Sequence, residues 1–228
     1  MRRLRALLVL SVLGGAAAFG LRHLPPGWDP RQPLDLRAAP GLLTGTKLAR
    51  LAWQPEACFA VFDHSGLAVT RLPDRPSAVG CPVTDAVTLP AAVRVSPPGP
   101  AVTCRVAAGW VMLERHTLQQ AARRHLGTEV AAVRHLGSFS CRNIGNAATG
   151  RRSEHATANA LDVAGFVLRD GREVTLARDW GQGTPAGAFL REVRDGACRW
   201  FRVVLGPDYN AAHADHFHFD MGAAWICR

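Results

Sequence analysis

Lys47 is the sole lysine in a chain of 228 residues, so the net charge of +9 rests almost wholly on arginine. No basic run is interleaved with aromatics and no nucleic-acid motif occurs, which argues for no nucleic acid partner despite the charge. A basic surface of this kind suits anionic lipid or wall polymer. No Cys-x-x-Cys pair is present, which disfavours thiolate-held zinc. There is no internal repeat, and the length leaves room for one sizeable core rather than two domains. The only long apolar run, Ala6 to Leu21, is at the short edge for a membrane-spanning helix of about 20 residues.

That run follows Met1-Arg2-Arg3-Leu4-Arg5, a charged segment ahead of an apolar one. Residues 1–21 therefore read as a signal peptide or an uncleaved N-terminal membrane anchor. Either one sends the remainder across a membrane, to the periplasm or cell envelope. Six cysteines (Cys58, Cys81, Cys104, Cys141, Cys198 and Cys227) agree with export, since an even count in an oxidising compartment points to disulfides. Several connectivities are open. Pairing between sequence neighbours gives Cys58–Cys81, Cys104–Cys141 and Cys198–Cys227.

What is present in abundance is histidine in one place. His213, His216 and His218 fall within six residues, and His155 and Asp162 lie upstream. Histidine and carboxylate groups in this number are what a three-ligand zinc site requires, the fourth position being left for water. Were residues 155–162 one helix, the two ligands would stand about 10 Å apart along its axis, too far to share an ion. The segment must therefore turn, delivering Asp162 on a strand that continues through Val163-Ala164-Gly165-Phe166. Residues 216–220 alternate with period two. A strand there puts His216 and His218 on one face and Phe217 and Phe219 against the core. Asp215 has the opposite parity to His218 and can face the same groove only if the chain bends just before His216. Asp220 shares the histidine face and reads as an orienter of a ligand. Ser153 reads as a cap, Glu154 as solvent-facing, and His64, His116, His125 and His135 as structural. Trp180 and Trp225 are candidates for a groove wall.

Residues 22–42, with Pro25, Pro26, Pro30, Pro33 and Pro40, read as a proline-rich linker, and 43–228 as the folded domain. A short helix is expected from Thr44, a proline-rich loop from Pro73 to Pro100, and a helix from Cys104 to Leu126 stopped by Gly127. Strands are expected at Val130–Leu136 and Trp200–Leu205, a hairpin at Asp170-Gly171, and a helix at Thr184–Arg194. The order predicts an α+β fold in a single domain, an antiparallel sheet with helices on one side.

The set Cys141-Arg142-Asn143, Ser153-Glu154-His155-Ala156, Ala160-Leu161-Asp162-Val163, Val204-Leu205-Gly206-Pro207 and His213 through Asp220 resembles the bacterial extensin-like C-terminal domain family. That family is in turn similar to the zinc group of D-Ala-D-Ala carboxypeptidases, murein endopeptidases and Hedgehog domains. The resemblance implies a zinc groove of that type, with Zn2+ held by His155, Asp162 and His218. It also implies that Arg142 binds a substrate carboxylate or polarises the carbonyl and that His216 assists catalysis. Asp215 takes the place of the general-base carboxylate, and His213 that of an auxiliary histidine. Ala158 stands where the peptidases usually carry glycine, and Asp215 where glutamate is commoner. The implied activity is a metallopeptidase, a hydrolase of D,D-carboxypeptidase or murein endopeptidase type acting on peptidoglycan peptides of the cell wall. The alternative is a zinc-containing wall-binding or scaffold module without turnover.

Overall fold

The computed structural model describes the backbone of residues 2–228 and the side chains of all of these except 2–8, 16 and 17. Helix α1 (Arg2–Arg22) leaves Val9, Leu10, Val12, Leu13 and Phe19 exposed, and no described helix is long and apolar enough to cross a membrane. Residues 23–43 hold no regular helix or strand, as their prolines require. They are nevertheless tied to the body: Leu34 and Leu36 are buried in its core, and the Lys47 ammonium donates to the Pro26 carbonyl at 2.6 Å.

The body runs α2 (Thr44–Arg50), α3 (Pro55–His64), β1 (Ala86–Thr88), β2 (Arg94–Ser96), β3 (Ala101–Thr103), α4 (Cys104–Leu113) and α5 (Gln119–Leu126). It continues through β4 (Val130–Gly137), β5 (Ala160–Leu168), β6 (Glu173–Thr175), α6 (Leu176–Asp179), α7 (Pro185–Ala197), β7 (Val203–Leu205), β8 (Phe217–Asp220) and β9 (Ile226–Cys227). The expected loop at 73–100 thus contains two short strands, and the expected helix at 104–126 is interrupted. Between α4 and α5, residues Glu114–Leu118 form a π-helical turn. Its first residue explains the break. The buried Glu114 carboxylate accepts hydrogen bonds from the Ala92 and Val93 amides at 3.0 and 2.9 Å and from the Trp110 indole at 3.1 Å. Burial pushes its pKa up against those three donors. Gly127 ends α5 in the left-handed conformation, φ 68°, which costs glycine nothing.

The main sheet is ordered β2-β4-β5-β8-β7-β9, with β6 also paired to β5. The architecture is mixed α+β, and the expectation of a wholly antiparallel sheet is corrected at both margins. There β2 runs parallel to β4, and β9 parallel to β7. Those edge strands have three and two residues, too few to show any periodicity. On one face Leu161, Val163, Phe166, Phe217 and Phe219 pack into a single core with Trp110, Met112, Phe189, Leu190 and Val193 of the helices. The Asp170-Gly171 hairpin forms as expected, Gly171 at φ 86°.

Two of the three expected disulfides are wrong. The bonds are Cys58–Cys104, Cys81–Cys141 and Cys198–Cys227, and only the last joins sequence neighbours. The start of α4 packs against α3, which brings Cys104 to Cys58 and leaves the Cys81 loop to pair with Cys141.

Non-reducing peptide mapping is expected to return these three pairs. Removing Cys58–Cys104, whose partners lie 46 residues apart, should cost about 4 kcal/mol in denaturant melts. Glu114→Gln, though isosteric, sets an amide NH2 against one of three donors. It should destabilise the fold by about 1–3 kcal/mol, read as a lowered denaturant midpoint.

Candidate metal centre

The centre is set by register. Antiparallel pairing of β5 with β8 places Asp162 directly opposite His218, on the sheet face away from the helix core. Their neighbours Leu161, Val163, Phe217 and Phe219 point the other way and are fully buried. His155 arrives from a 3-10 turn, Glu154–Thr157, whose N-cap Ser153 accepts the His155 amide at 3.3 Å. The turn required by the sequence is made at Ala158, which takes the left-handed conformation at φ 53° before the chain enters β5. That is the position at which glycine was expected, and the backbone shows why glycine suits it.

His155, Asp162 and His218 each present one donor atom, all within 4.8 Å of one another. His155 Nε2 lies 3.0 Å from His218 Nδ1 and 3.1 Å from Asp162 Oδ2, and His218 Nδ1 lies 2.9 Å from Asp162 Oδ1. The outward ring nitrogens fix the tautomers. His155 Nδ1–H donates to the Ser138 carbonyl at 3.2 Å, and His218 Nε2–H donates to Asp220 Oδ2 at 2.9 Å. A neutral imidazole then has only a lone pair at its other nitrogen. Two lone pairs and a carboxylate therefore converge on one point, an arrangement that repels itself unless a cation or proton sits there. Tetrahedral zinc, with bonds of about 2.0–2.1 Å, separates its ligand atoms by roughly 3.3 Å, within a few tenths of the distances seen. The residues fit the ion. In its place a proton is favoured: burial opposes charge on His218, but Asp162 and Asp220 outweigh it and raise its pKa to about 9. Burial likewise pushes the Asp162 carboxyl up, and the two histidines more than reverse this, holding it well below the usual range.

The other predicted residues take distinct places. His216 is buried beside the trio, its Nε2 3.7 Å from Asp162 Oδ1. Asp215 lies just before β8, which begins at Phe217. It accepts from His216 Nδ1 at 2.8 Å and is otherwise exposed. His213 lies tilted against His216 and edge-on to His218, ring centroids 5.2 and 5.8 Å away, and its Nδ1 is hydrogen-bonded to Asn210 Oδ1. Burial, and then His218 and His216, lower its pKa to about 4, with Arg142 contributing in the same direction. Arg142 itself sits in a loop pinned by Cys81–Cys141 and by the Ser153 amide on its carbonyl. Glu154 turns away to Asn159, while His116, His125 and His135 bond to Leu36, Glu192 and Pro97, apart from the centre. Trp180 packs edge-on against Phe217 rather than lining this groove. Sequence reasoning missed the Ser138 carbonyl and Asn210. The first is a backbone atom and carries no residue signal; the second is a cap for the turn at 211–213.

The fold and donor set thus define an α+β domain with a two-histidine, one-carboxylate candidate centre. Residues 56–228 match the family described as Extensin-like protein C-terminus, and the chain belongs to that family. No curated protein and no solved structure matches it.

Metal analysis of the refolding-free, oxidised protein should find one zinc per chain. His155→Ala, Asp162→Ala and His218→Ala should each lose it. Asp220→Ala, which frees the His218 ring, should weaken zinc roughly 10–100-fold in a chelator competition. Zinc at 1,000 times its dissociation constant should stabilise the wild type by about 4 kcal/mol and the three ligand→Ala variants not at all.

Proposed function

We propose that this domain hydrolyses peptide bonds with zinc as cofactor, outside the cytoplasm, on peptidoglycan stem peptides or cross-links. The carrying observation is the convergence of His155 Nε2, Asp162 and His218 Nδ1, with a further histidine, His216, beside it. The reading rests on the resemblance of the site motifs in the sequence to those of the D,D-carboxypeptidase and murein endopeptidase group. When bound, zinc supplies Lewis acidity toward a carbonyl and acidifies a water at neutral pH. His216 is the residue placed to move the proton. Asp215 accepts its Nδ1–H, which leaves the Nε2 lone pair directed toward Asp162 and the open side of the centre. In this reading Asp215 positions the base and is not itself the base. His213, held uncharged near neutral pH, can accept or donate a hydrogen bond to substrate beside His216. Arg142 offers its guanidinium to a substrate carboxylate or to charge developing on the scissile oxygen. Three disulfides agree with an oxidising compartment, and the arginine-led apolar N-terminus agrees with delivery or anchoring at a membrane.

The test incubates the full oxidised chain with purified muropeptides and intact sacculi, with and without zinc, and reads products by mass. A zinc-dependent product lost in His218→Ala supports the reading and its mass names the bond. His216→Ala should keep zinc and lose roughly 10²–10⁴ in kcat. Asp215→Asn should lose less, also with zinc retained. Stoichiometric zinc without any product would reassign the domain as a wall-binding module.

A further inference from the structure

A cavity of about 470 Å³ opens at the far end of β8, past the metal donors, none of which lines it. It adjoins a smaller one of about 240 Å³, the two sharing Ala52, Arg105, Glu154 and Asn159. The larger volume lies in the range that takes one small organic ligand. Its walls are apolar, formed by Leu48 and Ala49 of α2, Phe201 and Met221. Its margins carry two indoles that folding leaves in water, Trp53 at 81% and Trp225 at 66% exposure, and a third, Trp200, that is buried. Indoles held open beside an apolar hollow offer flat apolar surface to a ligand seated there.

The charge of the cavity is one-sided. Three guanidiniums line it, from Arg105, Arg199 and Arg202, against the single carboxylate of Glu154, which is already engaged by the Asn159 amide at 2.7 Å. Arg105 donates to the Met221 carbonyl and to Asn159 at 3.1 and 3.3 Å, leaving most of its five N–H groups unused. Arg202 holds the Ala223 and Ala224 carbonyls and lies over the Trp225 ring. Arg199 lies over the Trp200 ring and makes no ion pair among the described residues. Arg105 feels the carboxylates of Glu154, Asp85 and Asp220, whereas Arg199 and Arg202 have no ion pair among the described residues and, in an apolar setting, are complementary to a planar carboxylate, which they can bind in two-point fashion.

We infer that this cavity is a second ligand site, for a small organic carboxylate with a flat apolar body. The carboxylate is seated among Arg105, Arg199 and Arg202, and the body lies between Trp53 and Trp225. The site does not depend on zinc, and its test stands whether or not the hydrolase reading holds.

The experiment uses the full oxidised chain labelled with 5-fluorotryptophan, its six indole resonances assigned by single Trp→Phe variants. Naphthalene-2-carboxylate and the neutral naphthalene-2-carboxamide are titrated in turn. The expected result is one saturating shift of the Trp53, Trp200 and Trp225 fluorines, with Trp28, Trp110 and Trp180 unmoved. The carboxamide should bind about tenfold more weakly, and Arg199→Gln should weaken the carboxylate about tenfold while leaving the carboxamide unchanged. Arg199 is exposed and outside the core, so this variant keeps the fold. Equal affinity for the two probes, shifts spread over all six indoles, or no saturable shift in the folded protein would each overturn the proposal.

Discussion

Everything at the centre follows from the register between β5 and β8. A single-residue slip of β8 would send His218 into the helix-covered core and turn Phe217 and Phe219 out to the opposite face, away from Asp162. The register is held from both sides. Phe217 and Phe219 are fully buried and stack with each other and with Phe201, while Leu161 and Val163 fill the core from the partner strand. The hydrophobic face thereby fixes the position of the polar face, so that groups contributing nothing to the core are held within about 3 Å of one another. His155 has no strand to hold it. Its ring is instead fixed from behind by the Ser138 carbonyl, its backbone by Ser153, and its approach by the left-handed residue Ala158.

The covalent bonds serve the same geometry. Cys81–Cys141 fastens the loop that carries Arg142, a segment with little regular structure of its own. Cys198–Cys227 closes the chain end onto the turn after α7, and β9 then pairs with β7, the strand beside β8. A loop with little regular structure pays entropy for its order, and a cross-link removes much of that cost from the folding step.

Much of this was legible in the sequence, and the parts that were not have physical causes. The alternation at 216–220 announced a strand with imidazoles on one side, because a half-buried strand cannot hide its period. The distance argument on 155–162 demanded a turn, and the turn is there. The parity of residues 215 and 218 also raised the question that the structure answers, since Asp215 lies before the strand and bonds His216. The disulfide pairs depended on which elements pack together, and cysteine spacing does not encode that. The π turn at Glu114 exists for the Ala92 and Val93 amides, partners some twenty residues away, so no helical pattern reveals it. The edge strands β2 and β9 are too short to have a pattern, and their parallel pairing is set by the chain paths around them.

The arginine bias acquires meaning only once the partners are placed. Arg123, Arg124, Arg169, Arg172 and Arg178 are paired with nearby carboxylates, so their charge is largely cancelled at contact distance and screened beyond it. A net positive count therefore says little about polyanion binding. Among the guanidiniums without an ion pair, Arg105, Arg199 and Arg202 are set apart by lining an apolar hollow, and Arg142 by lying near enough to His213 to disfavour its charge. Guanidinium suits both places better than ammonium, because it is weakly hydrated, stays charged when partly buried, and offers a planar fork to a carboxylate. The one ammonium in the chain is buried on the Pro26 carbonyl, where burial lowers its pKa, and it serves only to hold the N-terminal segment down. The guanidiniums at these two places are thus distinguished by their surroundings rather than by the net charge of the chain.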